Sequence, residues 1–96
     1  TVSENVADLG GIAAALEAAK KEADFSAEEF FTNFARIWRM KARTEYMQLL
    51  ASVDVHAPGK LRTNVQLPNF DEFHKEFDVK EGDGMWRAPE DRVIIW

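Results

Sequence analysis

Apolar residues at Val6, Leu9, Ala13, Leu16 and Ala19 recur every three or four positions, the period of one helix face. With Ser3 as cap and a segment dominated by Ala and Leu, they predict a helix over residues 3–23. Gly10 and Gly11 fall inside it, where each glycine costs about 1 kcal/mol relative to Ala, so close approach by another element is expected there. Ser26-Ala27-Glu28-Glu29 is a capping box that starts a second helix. Its Phe30, Phe31, Phe34, Ile37 and Trp38 make one apolar stripe, with Glu28, Glu29, Asn33, Arg36 and Arg39 mostly opposite, as in a central core helix. A third helix opens at Thr44, carries Tyr46, Met47, Leu50 and Val53, and must stop before Ala57-Pro58-Gly59. Residues 53–64 read as a structured loop. After Pro68 a shorter fourth helix is predicted, capped by Asn69, with Glu72 three residues on and Phe70, Phe73 and Phe77 on one face. Gly82-Asp83-Gly84 marks a turn, and Met85-Trp86 and Val93-Ile94-Ile95-Trp96 are apolar patches that dock an irregular tail. The pattern holds no repeat, and the fold class is mainly α.

Composition narrows the function. Ninety-six residues suit one domain, but so small a chain hides only a modest share of its surface. Ten Phe and Trp residues against one Tyr require a core, some of it supplied by another segment. Twelve basic against 17 acidic residues give a net charge of −5, and no Lys/Arg cluster interleaves with aromatics, which argues against nucleic acid as a partner. Without cysteine there are no disulfides, thiolate metal sites or cysteine nucleophiles, consistent with a reducing, cytoplasmic compartment. Apolar runs such as Val93 to Trp96 fall far short of the roughly 20 residues that span a bilayer, so no membrane partner is expected. Thr1-Val2-Ser3-Glu4 has neither an initiator Met nor a signal pattern and reads as an internal cut.

Candidate chemistry gathers in two places: Glu4 and Asp8, one helical turn apart on one face, and the segment from His56 to Arg62. By spacing alone the two acids repel by a few tenths of a kcal/mol and belong to a solvated helix start. Longer strings change that view. Glu4-Asn5-Val6-Ala7-Asp8-Leu9-Gly10-Gly11 resembles the Glu-Asn-Ile-Ala-Asp-x-Gly-Gly segment of the neprilysin family of zinc metallopeptidases. Asp54-Val55-His56-Ala57-Pro58-Gly59-Lys60-Leu61-Arg62 is similar to that family's Asp-x-His-[Ser/Ala]-Pro-x-x-x-Arg loop. Phe30-Phe31 with Phe34-Ala35-Arg36-Ile37-Trp38, and Asn69 followed by Phe73 and Phe77, resemble two further stretches, so the likeness runs through nearly the whole chain.

The resemblance implies that residues 1–96 form the helical C-terminal portion of a thermolysin-like (zincin) catalytic domain, whose His-Glu-x-x-His helix lies upstream of this chain. Glu4 would then be the third ligand of a zinc ion, completing three protein ligands and leaving one position for water. Asp8 would be the acid that accepts a hydrogen bond from a zinc-bound histidine and fixes its tautomer. His56 would donate to the oxyanion developing on the scissile carbonyl, with Asp54 holding its other nitrogen. Arg62 would bind a backbone carbonyl of an oligopeptide substrate through its guanidinium fork. The implied partners are oligopeptides and the upstream remainder of the same polypeptide. By itself the chain is expected to bind zinc weakly and to hydrolyse nothing.

His74, between Phe73 and Phe77, is expected at the surface or partly packed and has no assigned role. Arg39 and Arg92 stand where vertebrate members of the resembled family carry cysteines, which implies a bacterial cytoplasmic form, and Trp96 resembles the family's closing basic-x-Trp pattern. The rival expectation is a free-standing helical module whose bare apolar surface docks on another protein or on itself.

Overall fold

The computed structural model describes residues 2–39, 43–54 and 56–95. Trp96, and Val55 within the second motif, lie outside them. Every regular element among the described residues is helical, as the hydrophobic period predicts.

Helix α1 runs Val2–Ala19 and buries Leu9, Ile12 and Leu16, a stripe at spacings of three and four. Ile12 takes the place that the hydrophobic pattern assigns to Val6, which is mostly exposed. The helix ends earlier than residue 23, because the Lys21 and Glu22 amides turn to carbonyls three residues back, Ala18 and Ala19, tightening the last turn. Nor does a close neighbour explain Gly11: a Cβ there would meet nothing within 4 Å.

Helix α2 spans Ala27–Trp38 and starts as the capping box predicts, with the Glu29 amide donating to Ser26 Oγ at 3.3 Å. Phe31 is buried to 1% exposure and meets the rings of Phe30, Phe73 and Phe77 edge-on, with centroids 5.3, 5.5 and 6.4 Å away. Ile12, Leu16, Leu67 and Phe73 complete this core, flanked by Phe25, Phe34, Phe70 and Met85. At the other end of the same stripe, Ile37 is 71% exposed.

Helix α3, Thr44–Val53, buries no residue, and Tyr46, Leu49 and Val53 stand open to solvent. The following segment departs from the loop expected over residues 53–64: Gly59–Asn64 forms helix α4. Pro58 takes the cap position at the start of α4. Its φ of −54° suits a helix start, and its carbonyl accepts from the amides of Leu61 and Arg62 at 2.9 and 3.0 Å. A close approach does occur at Gly59, where a Cβ would lie 2.5 Å from the Trp38 carbonyl oxygen.

A 3-10 turn, Leu67–Asn69, leads into helix α5, Asp71–Glu76. Asn69 does not cap α5. Phe70 holds the cap position without a side-chain hydrogen bond, and the side-chain Oδ1 of buried Asn69 accepts instead from Arg87 and from the Val93 amide, the latter at 3.0 Å. The extended Phe70 between turn and helix carries Asn69 out of capping register and towards the tail. At its other end α5 closes in a Schellman motif: Asp78 takes a left-handed φ of 50°, and the Val79 and Asp78 amides reach the His74 and Lys75 carbonyls. His74 is buried, against expectation. Its Nε2 donates to the Pro68 carbonyl at 2.7 Å and its ring meets Trp86 edge-on, because the docked tail covers this face of α5. Arg87 bonds the Val65 carbonyl at 3.0 Å, and Arg92 bonds the Arg87 carbonyl and Asp71, each at 2.8 Å, fixing the tail to the body.

Candidate active site

The first turns of α1 project Glu4 and Asp8 on one side of the helix, one turn apart. The end of α3 brings Asp54 beside them, the connecting segment brings His56, and α4 brings Arg62. All five candidate residues therefore gather at one edge of the molecule, although they come from two stretches some 50 residues apart in sequence.

They form two connected groups. In the first, Glu4 Oε2 lies 3.0 Å from His56 Nε2, and Asp54 Oδ1 lies 3.2 Å from His56 Nδ1. Asp54 Oδ1 also accepts from the His56 backbone amide at 2.9 Å, closing an Asx turn that sets the ring's direction. That amide bond is the main influence holding the Asp54 carboxyl below the ordinary carboxylate range, against opposing desolvation and with help from the His56 ring and the Arg62 charge. A carboxylate oxygen thus stands at each ring nitrogen of His56.

The second group is a bidentate fork. Arg62 Nε donates to Asp8 Oδ2 at 2.8 Å and Nη2 to Asp8 Oδ1 at 2.7 Å, with both side chains only 15% exposed. Asp8 thus holds the Nε–Nη2 edge of the guanidinium, and Nη1 lies outside this grip. The guanidinium carbon sits 3.6 Å above the centre of the Trp38 ring. Gln66 donates to the Asn5 carbonyl at 3.2 Å, a second tie between the start of α1 and the segment after α4. A cavity of about 130 Å³ opens between these groups, lined by Trp38, Leu50, Asp54, His56, Pro58 and Arg62.

The fork and the stacking Trp38 were not foreseen. Trp38 reads from its spacing as a core residue, and an ion pair across 54 residues leaves no signal in a single sequence.

A family model, Peptidase family M13, matches residues 1–93. The chain belongs to peptidase family M13. Among curated relatives of this M13 chain, a neutral endopeptidase of Lactococcus lactis subsp. lactis (strain IL1403) is 59% identical over 95 residues, covering 99% of the chain and 15% of the relative. A neutral endopeptidase of Lactobacillus helveticus is 45% identical over 95 residues, covering 99% of the chain and 14% of the relative. Human neprilysin is 32% identical over 109 residues, covering all of the chain and 14% of the relative. The chain thus spans about 15% of the length of the relatives it matches. No solved structure matches it.

M13 peptidases are metallopeptidases, so the donor set of this M13 chain has to be weighed against a metal. Among the described residues no group of three or more His, Cys, Asp or Glu could hold an ion. Glu4 does fit as a single carboxylate ligand: it is half-exposed, at the start of a helix, and stands outside the fork that engages Asp8.

Proposed function

We propose that this chain is a catalytic portion of a zinc-dependent metalloendopeptidase that hydrolyses oligopeptides, contributing the third zinc ligand and the groups that grip the substrate and its transition state. The observation carrying this reading is the convergence of Glu4, Asp54, His56, Asp8 and Arg62 at one edge, ordered by bonds between distant segments. M13 membership and the neutral endopeptidase relatives support the same chemistry.

Glu4 supplies the carboxylate ligand from α1. When bound, zinc would polarise the scissile carbonyl and make water nucleophilic near neutral pH. His56 Nε2 would offer its proton to the oxyanion that develops on that carbonyl, while Asp54 holds Nδ1 and the backbone amide so that the ring does not rotate away. Arg62, anchored through Nε and Nη2, presents Nη1 to a backbone carbonyl of the peptide, and Asp8 keeps that charge neutralised and in place. Gripping main chain rather than side chain sets register without selecting sequence, as hydrolysis of varied oligopeptides requires.

The test is turnover of a peptide by the full-length parent carrying Glu4→Ala or His56→Phe. The first is expected to abolish activity, and the second to lower kcat by roughly a hundredfold to a thousandfold. Unchanged turnover in both variants would overturn the enzyme reading. The exposed apolar face of α3 favours one alternative, a free-standing helical module that docks on another protein, and that alternative would then stand.

A further inference from the structure

Arg62 is held from two directions that are chemically unlike each other. Asp8 grips one edge of the guanidinium through two short bonds, which fixes the plane of the fork along that edge. A carboxylate grip alone leaves the plane free to hinge about the line joining the two bonds. Trp38 lies against the flat face, with its ring centre 3.6 Å from the guanidinium carbon, and closes that remaining freedom.

The backbone explains why the ring is in place. Trp38 is the last residue of α2, and the first residue of α4, Gly59, sits so close to the Trp38 carbonyl that a Cβ would come within 2.5 Å of its oxygen. Arg62 follows Gly59 by three residues, close to one helical turn, so the glycine contact fixes how far along the Trp38 ring the arginine lands. The packing of α4 on the end of α2 and the direction of Arg62 are therefore one arrangement.

We infer that Trp38, seated by Gly59, is a positioning residue for Arg62: its indole face, together with Asp8, aims the Nη1 edge that Asp8 does not hold at the peptide main chain. The inference rests on the reading of Arg62 as a substrate-backbone donor and goes beyond it by naming what directs the donor. Because Arg62 in that role grips substrate and transition state alike, loss of its direction should appear in KM and leave kcat almost unchanged.

The full-length parent is assayed on one internally quenched oligopeptide with Trp38→Leu, Trp38→Phe, Arg62→Leu and the Trp38→Leu/Arg62→Leu double variant, with His56→Phe alongside. Trp38→Leu is expected to raise KM by roughly three- to thirtyfold, the range of a stacked cation, with kcat held. Trp38→Phe should recover most of that loss, and Trp38→Leu should add nothing where Arg62 is already Leu. A Trp38→Leu penalty that persists in full without Arg62, or falls on kcat instead, overturns the assignment. A crystal structure of the Trp38→Leu parent decides the point independently of activity: Arg62 displaced from its place beside Asp8 supports the assignment, and Arg62 unmoved overturns it. Failure of the functional reading looks different, since it appears as wild-type turnover in His56→Phe.

Discussion

The two ends of α2 carry the same apolar stripe and meet opposite fates. Near its start Phe31 lies in an edge-to-face cluster with Phe30, Phe73 and Phe77 and is sealed from solvent, whereas near its end Ile37 is 71% exposed. The neighbouring helices repeat the contrast: α1 buries Leu9, Ile12 and Leu16, and α3 buries nothing. Helical spacing announces which side chains would gain from burial, but it does not say which neighbour covers them. For the half around Phe31 the neighbours are α1, α5 and the tail. For the half around Ile37, Tyr46, Leu49 and Val53 the chain offers none among its described residues, and it spans only about 15% of the relatives' length.

The largest effect that this comparison predicts is at Phe31. Phe31→Ala should cost about 3–5 kcal/mol of unfolding free energy in urea titration, by lost transfer energy and the cavity left behind. Ile37→Ala should stay within about 0.5 kcal/mol in this chain, as surface changes do. The same Ile37 substitution in the full-length parent should cost more if the rest of the polypeptide covers this face, and an equal, negligible cost in both would mean that the face stays bare.

Next comes the fork. Arg62→Leu strands Asp8, only 15% exposed, without its charged partner and should cost about 1.5–3 kcal/mol. Arg62→Lys should recover only some of this, because an ammonium cannot reproduce two parallel bonds and a stacked plane. Thermal unfolding of the two variants side by side checks the order.

The glycines divide in the same way as the two ends of α2. Gly59→Ala pushes a methyl to within 2.5 Å of a backbone oxygen and should cost about 1–3 kcal/mol by overpacking. Gly11→Ala meets open space on a helix and should stabilise by up to about 1 kcal/mol. Denaturation midpoints that move in the same direction for both would break this distinction.

The smallest effect is electrostatic. The Asp54 carboxyl is held below its ordinary value of 3.8, so its contribution is complete above that value and is lost as pH falls through the lower value of the folded state. Asp54→Asn should therefore flatten the acid limb of a stability-versus-pH curve slightly, and leave the limb above neutrality as it was.

Local chemistry was the legible portion of this sequence. Ser26 and Glu29 are three residues apart, so their bond could be read without knowing the fold. Pro58 misled because proline both ends and begins helices, and only the packing of α4 against Trp38 decides which role it takes. Asn69 and His74 misled for a related reason: both look like cap or surface residues until the tail folds back and turns them inward. Glu4, Asp8, His56, Asp54 and Arg62 could be singled out by their motifs. Their pairing of Asp8 with Arg62, and of Glu4 with His56, depends on the packing of α1 against the α3–α4 segment, and composition does not encode it.

Metal analysis of the purified full-length parent tests most directly whether Glu4, rather than His56 or Arg62, is offered to a metal. Glu4→Ala should emerge folded but stripped of zinc, and His56→Phe and Arg62→Leu should each retain one zinc per chain, the content expected of the unsubstituted parent. A Glu4→Ala enzyme that holds zinc as fully as its parent would contradict the account.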